Sequence, residues 1–249
     1  MARKLSSGGY FSHADGEPYD IGTVFHTVAC WFQPMALGVE HFLIAKWGGG
    51  STARSYVLEI LSDNRPLFAT HVTAGAVGIT QILFTPDPAL SVGTWFHVAA
   101  TRNGVRQKMY YNGKIVADAA DTSSIPDNTS LLFYLGHGSQ GQTADGSMSQ
   151  ACMWRACLTG DEIVALYEGQ REPTDIRPGS LVGYWPLDNY GDANDLSNFA
   201  LPLTMVSTPA VIPDNRPRLA SPASRLLQPF FFPSPSSSLY QPGYKFGFL

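Results

Sequence analysis

The sequence predicts an all-β sandwich of two antiparallel sheets with one short helix and an extended C-terminal arm. Three observations carry this. The chain of 249 residues has 24 Gly, 18 Pro and 12% aromatic residues but only 14% charged ones, a balance that favours turns and strands over helices. Short segments of alternating apolar character recur through the first 157 residues, separated by Gly, Ser, Pro and Asp-Asn. Asn-Gly dipeptides stand between such segments where hairpins would turn.

The segments come in order. Val24–Gln33 ends at Pro34, and His41–Trp47, Tyr56–Leu61, Pro66–Val72 and Ile79–Phe84 follow. In Val92–Gly104, Phe96, Val98 and Ala100 fall on one face, with Trp95, His97 and Ala99 on the other. Asn103-Gly104 then turns the chain into Arg106–Tyr111, and Asn112-Gly113 turns it into Lys114–Ala117. Asn-Gly suits a two-residue hairpin because both central residues accept positive φ. A meander of three antiparallel strands is the expected result. Thr159-Gly160-Asp161-Glu162 has the form of a capping box, with Ile163, Leu166 and Tyr167 as the apolar stripe and Gly169 as the stop. A helix of about three turns is expected there, covering a sheet edge or the end of the sandwich. Leu181–Leu187 reads as a further strand, and with Leu201–Thr204 it is expected to add edge or outer strands.

From Ile212 to Leu249 the composition changes, with seven Pro in 38 residues. The boundary divides the chain into a sandwich domain, 1–211, and an arm, 212–249. Regular secondary structure is not expected in the arm. It nevertheless holds Phe230, Phe231, Phe232, Tyr240, Tyr244, Phe246 and Phe248, more aromatics than a solvated linker carries. They are the expected docking residues, against the chain's own domain or a neighbour.

Composition also excludes. A net charge of −4 without a Lys/Arg cluster argues against nucleic acid. No apolar run approaches the roughly 20 residues that span a bilayer. Cys30, Cys152 and Cys157 are an odd count without C-x2-C spacing, so buried free thiols are expected rather than a disulfide framework. The first residues carry Arg3-Lys4 but no apolar stretch behind them, and no secretory signal is read there.

Three motifs in order are similar to a known pattern: Trp95-x-His97-Val98-Ala99, then Tyr110-Tyr111-Asn112-Gly113, then Leu158-Thr159-x-x-Glu162-Ile163-x-x-Leu166-Tyr167-x-Gly169. The sequence resembles the concanavalin A-like lectin/glucanase superfamily, in its laminin G and pentraxin-type jelly rolls. Ala156-Cys157-Leu158-Thr159 stands where that family commonly has R-A-L-T. The likeness covers roughly residues 8 to 206 and implies a jelly-roll sandwich with aromatics between its sheets. The fold hosts lectins, hydrolases, adhesins and virion proteins, so function has to come from the residues.

Glucanases of this fold need paired carboxyls, about 5–5.5 Å apart in retaining enzymes. None of the six glutamates, 17, 40, 59, 162, 168 and 172, belongs to an E-x-D-x-E run, so no catalysis is assigned. The resemblance also implies calcium at a sheet rim. The candidates are Asp145-Gly146 and the Asp188/Asp192/Asp195 loop, with Gln150 where relatives often carry an acidic residue. Asp145-Gly146 is read instead as a turn and the three aspartates as a hydrated loop, so no cofactor is expected. The six histidines show no metal spacing, and His97 is read as structural. Gly48-Gly49-Gly50 lacks the Lys-Ser/Thr of a phosphate loop.

Two function classes remain. One is a structural component docked through its arm to neighbouring subunits, as a homo-oligomer or on capsid or tail proteins. A virion surface or decoration role fits, because virion proteins are assembled in the host cytoplasm without a signal. Leu181-Val182-Gly183-Tyr184-Trp185-Pro186-Leu187-Asp188 followed by Asp195-Leu196-Ser197 resembles phage-encoded jelly rolls. The other class is a carbohydrate-binding module or adhesin, with Trp47, Tyr56, Trp154 and Tyr190 as candidate glycan contacts.

Overall fold

The computed structural model describes residues 2–5, 8–16, 19–20, 25–48, 54–72, 78–122, 131–138, 141–188, 194–207, 210–213 and 216. Among these residues fifteen strands and one α-helix follow in order: β1 (Ala2–Lys4), β2 (Tyr10–His13), β3 (Phe25–Pro34), β4 (His41–Trp47), β5 (Arg54–Ile60), β6 (Pro66–Val72), β7 (Gly78–Leu83), β8 (Phe96–Asn103), β9 (Arg106–Tyr111), β10 (Lys114–Ala120), β11 (Phe133–Leu135), β12 (Gly146–Trp154), α1 (Gly160–Tyr167), β13 (Leu181–Trp185), β14 (Thr204–Val206) and β15 (Ala210–Ile212). They form two antiparallel sheets. The larger runs β10-β9-β8-β3-β12-β1-β15, with β13 also on β12, and the smaller runs β14-β2-β11-β4-β5-β6-β7.

Alternation decides what lies between the sheets. Val28, Cys30 and Phe32 of β3 and Phe96, Val98 and Ala100 of β8 face Tyr56 and Leu58 of β5 and Phe68 of β6 in one core. The two-face reading of β8 holds, since Ala99 belongs to a second cluster behind the larger sheet. Strand β12 is long enough to take two partners on one edge. Arg3 of β1 pairs with Met148 and Trp185 of β13 with Ala151, and between them Gln150 sits at φ 46° in a bulge. The three cysteines are free, with Cys30 and Cys152 buried; burial pushes both thiols upward.

The hairpins differ. Asn112 and Gly113 both have positive φ, 48° and 77°, as a two-residue turn between paired Tyr111 and Lys114 demands. At the other dipeptide only Gly104 does, at 77°. There the central pair is Gly104-Val105, while Asn103 Oδ1 accepts the N–H groups of Val105 and Arg106 at 3.1 and 2.8 Å. Asn103 thus caps the turn from outside it.

Helix α1 starts as expected: Thr159 is the N-cap with a full capping box to Glu162, and Gly169 follows the helix at φ 63°. Its position corrects the sequence reading. Ile163 and Leu166 pack on Ala99, Tyr110 and Trp154, so the helix covers the outer face of the larger sheet and not an edge or an end. Trp31 joins that layer, stacking on Tyr167 at 5.6 Å. Strand β13 stops at Trp185 because Pro186 has no N–H to give and Leu187 turns to φ 56°. The edge strand after it is Thr204–Val206, paired with β2, in place of Leu201–Thr204. Ile212, read as the first residue of the arm, is the last residue of β15 and pairs with Ala2.

Candidate functional site

The larger sheet is covered by α1, whereas the outer face of the smaller sheet has no helix over it among the described residues. One row crosses it by register: Ser12, Tyr134, Ala45, Val57, Ala69 and Gln81. Its middle is short side chains, and Ala45, Val57 and Ala69 lie in a cluster with Phe42 and Leu67, flanked by Trp47 and Leu83.

Rings stand at the β2–β11 side of this floor. Tyr10 stacks on His137 with centroids 4.0 Å apart and planes 8° apart. Tyr134 meets His137 edge-on at 5.1 Å and Tyr10 at 5.9 Å. Offset and edge-on pairs of this kind hold rings in fixed planes. Tyr10 and His137 keep part of their surface exposed.

At the β4–β5 hairpin the register slips. Lys46 pairs with Tyr56, and the next pair is Trp47 with Arg54, so Ser55 is the extra residue. A bulge re-aims side chains, and here it sets the Arg54 guanidinium over the half-buried Trp47 ring at 5.1 Å. Arg54 Nε donates to the Gly48 carbonyl at 3.2 Å. His71, on the same face of β6, is buried, and neither ring nitrogen has a hydrogen-bond partner among the described residues. Burial and the charge of Arg54 hold its pKa below the usual histidine range.

At the other end Glu59 lies between Phe42 and Leu67 across the ladder. Burial first and the Glu40 charge second push its carboxyl up to about 7. Spacing among the glutamates does not single it out, although one acidic residue in the apolar run Tyr56–Leu61 is the available signal.

The four glycan candidates divide. Trp47 is on this face. Tyr56 and Trp154, contrary to the sequence expectation, are not available: both are fully buried, Tyr56 donating its hydroxyl to the Tyr19 carbonyl at 3.0 Å and Trp154 its Nε1–H to the Ile176 carbonyl at 2.8 Å. Each ring falls on the inward turn of its strand's alternation or under α1. Tyr190 lies outside the described residues, as do Phe230, Phe231, Phe232, Tyr240, Tyr244, Phe246 and Phe248.

Of the calcium candidates, Asp192 lies outside the described residues and the carboxylate of Asp195 is already engaged. Asp195 accepts from the Tyr184 and Ser197 amides at 2.8 Å each, from Ser197 Oγ at 2.6 Å and from the Leu201 amide at 3.0 Å. These bonds occupy both its oxygens and fold the loop. The Asp145 amide donates to His41 Nδ1 at 3.1 Å. Gln150 Oε1 takes Arg216 Nη1 at 2.6 Å. Among the described residues no three His, Cys, Asp or Glu side chains come together as a metal site. His97 lies buried beside Trp31 and Tyr167, and burial, with Arg216 nearby, lowers its pKa to about 3.

A family profile for laminin G-type domains, described as the concanavalin A-like lectin/glucanases superfamily, matches residues 5–164. The chain belongs to this superfamily. No curated protein sequence matches it closely enough to count as a relative. Among solved structures it is similar to a candidate carbohydrate-binding protein of Bacteroides ovatus, at TM-score 0.60 and 17% identity over 85% of this chain and 61% of that one. It is also similar to domain 4 of a GH43 extracellular arabinanase from Geobacillus stearothermophilus in complex with arabinotriose, at TM-score 0.52 and 15% identity over 67% of this chain and 76% of that domain. A third likeness is to the sialidase CBM40 of Ruminococcus gnavus bound to α2,3-sialyllactose, at TM-score 0.50 and 17% identity over 67% and 92%. At such identities the likeness is one of fold. This concanavalin A-like chain spans about three fifths of the Bacteroides protein. No helix among the described residues is long and apolar enough to cross a membrane.

Proposed function

We propose that this chain is a non-catalytic carbohydrate-binding module that lays a glycan across the outer face of its smaller sheet. One observation carries the reading: partly exposed rings, Trp47 on one side and Tyr10 with His137 on the other, stand on one sheet face, with the buried short side chains of Ala45, Val57 and Ala69 packed between them. Sugar rings present flat faces of C–H groups, and partly exposed aromatic platforms suit them. The arabinotriose and sialyllactose complexes of the Geobacillus and Ruminococcus domains support it, since they are domains of similar fold that hold oligosaccharides.

The test is retention on a panel of immobilised neutral and acidic polysaccharides. Trp47→Ala and Tyr10→Ala are expected to weaken binding by about tenfold or more, as removal of a central aromatic anchor does, without releasing reducing ends in any variant. A panel with nothing retained, or retention unaltered by both substitutions, overturns the reading.

A second reading rests on the root of the arm. The last described residue, Arg216, donates to Gln150 and lies 5.7 Å from the Trp31 ring centroid, so the chain leaves from the larger sheet, away from the proposed glycan face. We propose that the arm beyond it docks the module to neighbouring subunits, as a virion surface or decoration component would be docked. Light scattering on the full chain and on a truncation after Arg216 tests this. Association of the full chain with a monomeric truncation is expected, and two monomers refute it.

A further inference from the structure

We propose that the Trp47–Arg54–His71 end of this face is a subsite for the anionic group, carboxylate or sulfate, of an acidic sugar residue. The inference rests on the carbohydrate-binding reading and deepens it.

Arg54 differs from four other arginines among the described residues, though Arg171 and Arg216 also meet a carbonyl or an amide in place of a carboxylate. Arg65, Arg102, Arg106 and Arg177 each hold an acidic side chain, at 2.6, 2.6, 2.5 and 2.8 Å. Arg54 meets none among the described residues; a carbonyl takes its Nε and an indole lies beneath it. That arrangement fixes the plane of the guanidinium while leaving its two terminal nitrogens to donate. Two parallel N–H groups in one plane are what a carboxylate or sulfate accepts in bidentate fashion.

The second observation is independent. His71 is 6% exposed and both its ring nitrogens lack a partner among the described residues. A buried imidazole with neither nitrogen bonded is a costly arrangement. A ligand oxygen arriving between His71 and Arg54 would satisfy a ring N–H and the guanidinium together. Trp47 then supplies the face on which the sugar ring itself rests.

Charge gives the site a direction. The whole chain carries −4, so a diffuse positive surface does not account for anion capture. The far end of the same face carries Glu59 beside Glu40, which repels an anion. An acidic sugar therefore sits at the Trp47 end, with neutral residues of the chain running over the floor toward Glu59.

Titration calorimetry of the full-length protein tests this with four probes: polygalacturonic acid, dextran sulfate, neutral dextran and neutral galactan. At least one acidic probe is expected to bind more tightly than both neutral ones. Tighter polygalacturonate marks the subsite as one for carboxylate, tighter dextran sulfate as one for sulfate. Arg54→Gln is expected to weaken the acidic probe about tenfold or more. Arg54→Lys, which keeps the charge but loses the fork, is expected to weaken it too. Lys114→Gln, at an exposed lysine of β10, controls for diffuse charge and is expected to change nothing. Unfolding curves confirm that each variant is folded. Neutral and acidic probes bound equally, Arg54→Gln binding like the parent, or Lys114→Gln losing as much as Arg54→Gln would overturn the subsite and leave the carbohydrate reading standing. No binding of any probe by the parent counts against both.

Discussion

Asp121→Ala is expected to destabilise the protein by about 3–5 kcal/mol, because it strips a buried guanidinium of its carboxylate. The side chains of Arg102 and Asp121 are 0% and 1% exposed, and Arg102 Nε donates to Asp121 Oδ2 at 2.6 Å. Gln107 Nε2 also donates to Asp121 and reaches Thr70 Oγ1 at 3.0 Å. Gln107 belongs to the larger sheet and Thr70 to the smaller, so this cluster ties the two sheets across the core near the β8–β9 hairpin. Removing the acceptor breaks the ion pair of a buried guanidinium whose charge acts on His26, and His26 has no ring hydrogen bond among the described residues. Urea unfolding monitored by tryptophan fluorescence gives the measurement. The double variant Arg102→Met with Asp121→Leu is expected to recover most of the loss, since apolar replacement of a whole buried pair is often neutral. A loss below about 1 kcal/mol in Asp121→Ala would mean that water reaches the pair, as it does at surface ion pairs.

What the sequence reveals of this fold is what local rules govern. The alternation in Phe96–Asn103, the capping box at Thr159 and Glu162, and the paired positive φ of Asn112-Gly113 each need a few neighbouring residues, and each is found in place. Local rules fail where a choice is settled across the molecule. Helix α1 rests on a sheet face because strands distant in sequence, β3, β8, β9 and β12, present small or flat side chains there, among them Ala29, Ala99 and Cys152. The same apolar ring in a strand reads alike inward or outward, so Tyr56 and Trp154 look as available as Trp47 until register assigns their faces. Arg54 is hidden for a further reason. Strict alternation from Tyr56 would put it inside, and only the one-residue slip at Ser55 carries it outward to Trp47. The Tyr10–His137 stack joins residues far apart in the chain, and no spacing rule connects them.

The second large effect is on pH, and it comes from two histidines folded without their protons. Burial and the Arg102 charge, against the weaker raising effect of Asp121, lower His26 to about 3; burial and Arg216 do the same for His97. Below about pH 6.5 the unfolded chain protonates both imidazoles while the folded chain does not, so the folding equilibrium should lose about tenfold per pH unit for each, down to about pH 3. His41, His71 and His137 shift the same way and add to the loss. Glu59 works against them. Its carboxyl is raised to about 7 in the fold, so it contributes stability that is full below about pH 4.5 and lost as pH rises through 7. The protons offset one another between about pH 4.5 and 6.5, leaving a net slope of at least one proton, and the slope steepens to at least two below pH 4.5. Unfolding free energies at pH 7, 6, 5 and 4 measure this directly. His26→Leu should remove one proton from the slope between about pH 3 and 6.5, and Glu59→Gln should steepen the segment between 4.5 and 6.5. A flat profile across that interval, or a His26→Leu profile parallel to the parent, would mean that these imidazoles are hydrated in the fold. The sandwich would then be open at the end where the sheets are tied by Arg102, Asp121 and Gln107.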